Sequence, residues 1–393
     1  MIKKIINIII YKIIDLITFN YNKLSCANNE LVIIKLDAIG DYILFRNFFK
    51  TLYTSNKFSN SRITLIGNII WKDLASALDT EYIHYTIWLD TNKFINEYSY
   101  RYSFIKKIKK NKYNTLINAE YSRNFIVSDW IANSIYAVDK FAHFGDHSNS
   151  KIWQKFLSNS YYTNLFFGSR DVIFEFFRNK YFIEHITNEK CFIKRPNIDL
   201  NCISKTKCIE SNYVIFFLGS SKKNNKWDSK SYAKVANYIN EKYNYEIVLC
   251  GGNNDIEESK IFSKFCKFEY TDLIGKTTIL ELISIISCAS LIISNETSAP
   301  HFSVALDVNT IVLYSGNHFG RFVPYPNSLT NAAYKCIYHP LISSDENYYK
   351  KLSNTSGYTS QLNINEISIK QVINEVDKYL PIENIINCVT GDK

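Results

Sequence analysis

Glycine and proline are scarce in this chain, 12 and 6 of 393 residues, which excludes collagen-like repetition and long flexible linkers. The nine cysteines form no Cys-x-x-Cys pair and no Cys/His spacing of a zinc site, so reduced thiols are expected. No run of 18 or more apolar residues is free of charge, and a membrane-spanning helix is not expected. Asp-x-Asp is absent, which argues against a divalent ion held by carboxylates. His143 and His147 stand at i and i+4, but Gly145 between them favours a loop over a metal-binding helix, and no metal is assigned. No Gly-x-Gly-x-x-Gly follows a predicted strand, and Gly275-Lys276-Thr277 has Tyr270 where a Walker A loop needs glycine. Arginine is also rare: it supplies 8 of the 46 basic residues, and the net charge of +9 (46 − 37) lies in lysine. That excess, shared with Ile, Asn and Tyr, reads as coding bias and not as a nucleic-acid surface.

What is present is enough to fold. The chain is 46% hydrophobic and 21% charged, and at about 150 residues per domain its length predicts two units. Residues 1–30 read as an extension. Ile2, Ile6, Ile9, Ile13, Leu16, Ile17 and Leu24 share one arc at helical spacing, while Ile5, Ile8, Ile10 and Ile14 blur the other side. Lys12 and Asp15 interrupt any signal-peptide core, and Lys23 spoils a lipoprotein box at Leu24-Ser25-Cys26. Two readings stay open: a helix packed on its own protein, or an in-plane membrane contact with lysines toward anionic headgroups.

From residue 31 apolar runs alternate with amphipathic stretches, the βαβ signature. Strands are predicted at 31–36, 63–66, 82–89 and 115–118, then at 213–218, 246–250, 291–294 and 310–314, with helices between them. The result is an α/β protein with two Rossmann-like domains at 31–200 and 201–360, a polar linker near 196–211, and a last helix in 361–393.

Four segments carry chemistry. In LVIIKLDAIGDYILF a buried strand runs into Gly40-Asp41, which puts Asp41 at the strand end where α/β sheets bind ligands; a helix cap is the plainer role for it and for Asp37. In YVIFFLGSSKKNNKW, Gly219, Ser220, Ser221 and Lys226 offer amides, hydroxyls and an ammonium suited to a diphosphate, while Lys222 and Lys223 read as a solvated loop and Trp227 as helix packing. Gly251-Gly252 lets backbone approach a ligand or turns the chain. In LIISNETSAPHFSVAL, Glu296, Thr297, Ser298 and His301 gather at a strand-to-helix junction with Pro300 in the first turn, favouring an anion, with Glu296 suited to sugar or ribose hydroxyls.

Together, in this order, the segments resemble glycosyltransferase family 9, the ADP-heptose:lipopolysaccharide heptosyltransferase family; the resemblance spans residues 31 to about 325 and includes IVLYSGNHFGRFVPY. It implies a GT-B fold with its domains facing a cleft, a final helix crossing back to the N-terminal domain, and inverting, metal-independent transfer from a nucleotide-sugar, ADP-heptose or a relative. The acceptor would be lipopolysaccharide or another surface glycan, with no cofactor beyond the donor. Asp41 matches the family's Gly-Asp carboxylate, the general base. Ser220, Ser221 and Lys226 match the donor-phosphate loop, and Glu296 to His301 match its Asp-Ser/Thr-Gly-x-x-His segment, with Glu296 for Asp and Ser298 for Gly. A cytoplasmic enzyme, peripheral on the inner face of the membrane, is the expected setting. The rival readings are a GT-B nucleotide-sugar epimerase or hydrolase, and a non-catalytic scaffold of a glycan assembly complex.

Overall fold

In the computed structural model all residues are described except 1, 19–28, 170, 204–208, 210, 221, 354, 356–357 and 382–393; for residues 2–6 only the backbone is described. Leu24, Cys26 and Ser221 lie outside the described residues. The chain divides into two compact units. The first comprises 1–203, 320–322 and 350–359, and the second 204–319, 323–349 and 360–393.

The first unit is built on β1 (Glu30–Lys35), β2 (Arg62–Asn68), β3 (Tyr85–Leu89), β4 (Lys112–Asn118), β5 (Tyr136–His143) and β6 (Asn164–Phe166), in the order β3-β2-β1-β4-β5-β6. All pairings are parallel; Leu31 stands beside Ile63 on one side and Thr115 on the other. Because β1 is flanked on both faces by helices, Leu31, Val32, Ile33 and Ile34 are all buried, which is why its sequence is an unbroken apolar run. The strand order reverses between β1 and β4. In an open α/β sheet that reversal opens a crevice at the carboxyl ends of the two strands.

The second unit repeats the plan with β7 (Tyr213–Phe217), β8 (Glu246–Cys250), β9 (Thr271–Asp272), β10 (Leu291–Asn295), β11 (Thr310–Tyr314) and β12 (Tyr334–Tyr338), in the order β12-β11-β10-β7-β8-β9. Its reversal lies between β7 and β10, which pair in parallel with Leu291 opposite Val214. Val214, Phe216, Ile247, Leu249, Leu291 and Ile293 face one core with Trp227 and Tyr232. Trp227 does pack the following helix, ring to ring with Tyr232 at 5.0 Å.

Three expectations change. The helix Ile369–Tyr379 does not cross to the first unit: Val372 and Val376 are buried in the second unit's core, and Asp377 accepts hydrogen bonds from Tyr238 and Tyr243. What returns to the first unit instead is 320–322 and 350–359. The N-terminal helix Ile2–Ile17 packs on the first unit, but through Tyr11 and Ile14 and not through the apolar arc read from the sequence. Cysteines 191, 202, 250, 266 and 336 are free thiols, whereas Cys288 is disulfide-bonded.

Candidate active site

Each reversal point gathers polar groups that the hydrophobic pattern does not explain. In the first unit, β1 ends at Lys35, whose side chain is fully buried. Its ammonium pairs with Asp37 at 2.7 Å and donates to the Ala119 carbonyl at 3.2 Å. Burial alone would lower the Lys35 pKa, yet it is raised, because Asp37, Asp41 and Glu175 outweigh desolvation.

The helix Ile39–Phe45 starts at once, with Ala38 at its N-cap and Asp41 in its first turn. Asp41 is therefore not the capping residue, and its half-buried carboxyl is available for other work. Its pKa is pushed up to about 7, first by desolvation and then by the Asp37 charge, with Lys35 pulling the other way. Such a carboxyl is part ionised at neutral pH, as a general base needs to be.

Across the crevice, just past β4, Glu120 accepts from the Leu36 amide at 3.1 Å and from the Ser128 hydroxyl at 2.6 Å. Burial and then Asp37 push its pKa up to about 8. Glu175 opens the helix Glu175–Thr187 on the same unit. It receives Arg321 Nε at 2.7 Å, with Arg178 Nε at 3.3 Å. Burial works against its charge, but Arg321 and Arg178 hold its pKa down to about 2. Arg321 also donates to Ser122 Oγ at 2.9 Å and lies 3.6 Å from Asp146.

Lys35, Glu120, Glu175 and Arg321 were not singled out from the sequence. A lysine ending an apolar strand was the available signal for the first. Arg321 lies in a segment quoted for the family resemblance, but nothing local says that it returns to the first unit.

In the second unit, Asn295 at the end of β10 donates to the Leu218 and Gly219 carbonyls at 2.9 and 3.2 Å, tying the two strand ends together. Beside this tie, Ser220 Oγ and Glu296 Oε2 are buried without a hydrogen-bond partner. Orphaned buried oxygens carry a free-energy penalty unless something else satisfies them. The Glu296 carboxyl is pushed up to about 8 by desolvation, opposed by the charge of Lys222. Lys222 is exposed, so it is both a solvated lysine, as its sequence suggests, and the cation whose field reaches Glu296.

The other residues singled out from the sequence take more local parts. Lys226 pairs with Glu258 at 3.1 Å, so its charge is already balanced. Thr297 Oγ1 accepts from the Ala299 amide at 3.3 Å, while Ser298, at the N-cap of Ala299–Ala305, makes no side-chain cap bond. His301 is buried, with Nδ1 2.6 Å from the Tyr325 hydroxyl, and burial lowers its pKa to about 4. It is therefore neutral near pH 7, so a contact it makes with an anion is a hydrogen bond and not an ion pair.

Gly219 and Gly251 have an internal reason to be glycine. A Cβ on Gly219 would stand 2.1 Å from a carboxylate oxygen of Asp255, and one on Gly251 2.7 Å from the other, whereas Gly252 faces open space. Gly219→Ala is expected to cost about 1–3 kcal/mol of stability in chemical denaturation, because Asp255 must move from the Gly252 amide that it accepts from at 3.1 Å. Gly275-Lys276-Thr277 leads into Thr278, which caps the next helix with Glu281, as its sequence suggests.

Among the described residues no group of three His, Cys, Asp or Glu is placed to hold a metal ion, and no helix is long and apolar enough to cross a membrane. His143 is buried against Phe182, ring centroids 3.9 Å apart, whereas His147 is exposed.

Comparison with known proteins bears on these two sites. Residues 188–344 match the family model for glycosyltransferase family 9 (heptosyltransferase). A curated relative, the lipopolysaccharide core heptosyltransferase OpsX of Haemophilus influenzae, is 29% identical over 110 residues, which cover 28% of this chain and 31% of the relative. The match thus spans about a third of that protein's length. Among solved structures, a glycosyl transferase family 9 protein from Veillonella parvula superposes with a TM-score of 0.69 at 19% identity, covering 91% of this chain and 99% of that one. E. coli heptosyltransferase WaaC, solved with ADP-2-deoxy-2-fluoro heptose, superposes with a TM-score of 0.66 at 12% identity, covering 89% and 99%. These superpositions establish the GT-B fold.

Proposed function

We propose that this member of glycosyltransferase family 9 transfers a sugar, heptose or a close relative, from a nucleotide-sugar to a lipopolysaccharide-type or other surface-glycan acceptor. The observation that carries the chemistry is Asp41: a half-buried carboxyl at a sheet reversal point, part ionised at neutral pH. It takes the proton of the acceptor hydroxyl as that oxygen attacks the anomeric carbon. Direct displacement by one nucleophile inverts the anomeric centre. The leaving nucleoside diphosphate carries away the bonding pair, so no oxidant, reductant or covalent enzyme intermediate is needed.

The donor belongs to the second unit. At its strand-end site Ser220 Oγ and Glu296 Oε2 are buried without a hydrogen-bond partner, and Lys222 is a cation whose field reaches Glu296. A Glu296 carboxyl that holds its proton near neutrality donates one hydrogen bond and accepts another, which suits a ribose or sugar diol and avoids repulsion with the diphosphate. Transfer without a metal ion fits lysine neutralisation of the leaving group. An ADP-sugar is the leading donor, by likeness to relatives named for heptose transfer.

A thermal-shift panel of ADP-, GDP-, UDP- and dTDP-sugars in chelator tests this reading. An ADP-sugar should raise the melting temperature most, Glu296→Gln should keep that shift at pH 7, and Glu296→Ala should weaken binding by about tenfold. A shift only with divalent metal, or equal shifts from all four, would contradict it.

A further inference from the structure

The N-terminal helix is held to the first unit by specific polar contacts. Tyr11 donates to the Ile95 carbonyl at 2.6 Å and lies under the Arg101 guanidinium at 3.6 Å; Asp15 meets Lys109 at 3.4 Å and Ser134 at 3.0 Å. These contacts fix which side of the helix faces the protein. The side left to solvent is the apolar one: Ile9 and Ile13 are about half exposed, and Leu16 and Ile17 are 74% and 64% exposed.

A second helix, Ile152–Asn159, does the same. Ile152 is 77% and Phe156 84% exposed, with Trp153 and Leu157 beside them, while Lys155 and Ser158 point inward. The two helices sit in one layer of the unit. A chain of rings joins them, Tyr11 to Trp130 at 5.8 Å, Trp130 to Phe125 at 6.0 Å and Phe125 to Trp153 at 5.6 Å. Large apolar side chains standing out from two neighbouring helices are unusual for a surface that meets only water.

Charge says what covers them. Across the helices Ile2–Ile17, Tyr98–Ile108 and Ile152–Asn159, Asp15 is the one acidic residue, and it is already paired. Lys12 borders the exposed arc, Lys151 precedes the second helix, and Lys106 and Lys107 stand exposed on the helix Tyr98–Ile108, which packs against Ile2–Ile17. A two-fold contact with a second copy would set this basic face against itself. An anionic bilayer meets both demands: acyl chains take the isoleucines, leucines, Trp153 and Phe156, and headgroup phosphates take the lysines.

We propose that the exposed arcs of Ile2–Ile17 and Ile152–Asn159 form one docking surface for an anionic phospholipid bilayer, lying in its plane without crossing it. None of these side chains belongs to the strand-end sites, so docking and sugar transfer can fail independently.

Flotation of the full chain with vesicles of about one part phosphatidylglycerol to three parts phosphatidylcholine tests it. The wild type should float with these vesicles, and more weakly with phosphatidylcholine alone or in high salt. The double variant L16D/F156D should lose at least about tenfold in vesicle binding, with its melting temperature and donor-induced shift unchanged, since both side chains are exposed. Wild-type protein that ignores anionic vesicles, or a variant that binds them equally, would overturn the proposal. So would a concentration-dependent dimer in sedimentation velocity that the variant abolishes, because the surface would then belong to a second copy.

Discussion

Asp41→Asn should lower the rate of sugar transfer by about 10²–10⁴-fold while leaving donor affinity within about twofold. Asparagine keeps the shape of the side chain and the start of the helix Ile39–Phe45, where Asp41 makes no cap that the change would remove. What it loses is the ability to take a proton. The neighbours explain why this carboxyl and not another is assigned the task. Asp37 is committed to Lys35, and Glu175 is committed to Arg321 and Arg178 and stays ionised to about pH 2, so it is too weak a base. Glu120 is buried, with both oxygens already accepting. The donor-induced thermal shift of the variant separates loss of chemistry from loss of binding. A variant that transfers at the wild-type rate would remove the base assignment.

Arg321→Ala should destabilise the first unit by roughly 3–5 kcal/mol, because it leaves Glu175 charged, buried and short of its main partner. Arg178 remains at 3.3 Å and tempers the loss. The pH dependence follows from the depressed Glu175 pKa. Its contribution is fully present above the unfolded carboxyl pKa of roughly 4.3 and is lost as pH falls toward about 2. The stability difference between wild type and Arg321→Ala should therefore shrink in acid. In R321A/E175Q the damage should be smaller than the two single losses added together. Equilibrium denaturation at neutral and acid pH reads all of this; additive losses with no pH dependence would show that the pair is not coupled.

Much of the framework was legible in the sequence because strands covered on both faces must be apolar throughout. β1, β8, β10 and β11 announce themselves in this way, and the strand ends that carry Asp41, Gly219 and Glu296 follow from them. β5 was not legible because Asp139 and Lys140 interrupt a strand whose first half faces solvent, and β6, with only three half-buried residues, has no period to detect. The pairing of Arg321 with Glu175 joins residues 146 apart and depends on a short excursion of the chain that no local pattern encodes. Helical periodicity found the apolar arc of the N-terminal helix but could not say which side the protein takes. Tyr11 and Asp15 decide that through hydrogen bonds and charge, leaving the more hydrophobic side outside. For His301, spacing placed it near Glu296 but could not show that burial, beside Tyr325, leaves it neutral.

The most direct test of the central claim is the pH dependence of kcat/KM for sugar transfer between about pH 5.5 and 9, measured on the wild type and on Asp41→Asn. Because the base must be ionised to act, the wild-type rate should rise with pH through an apparent pKa near the Asp41 value of about 7, and the residual rate of the variant should lack that step. A wild-type profile that is flat across this range, or a variant that keeps the same step, would contradict the account.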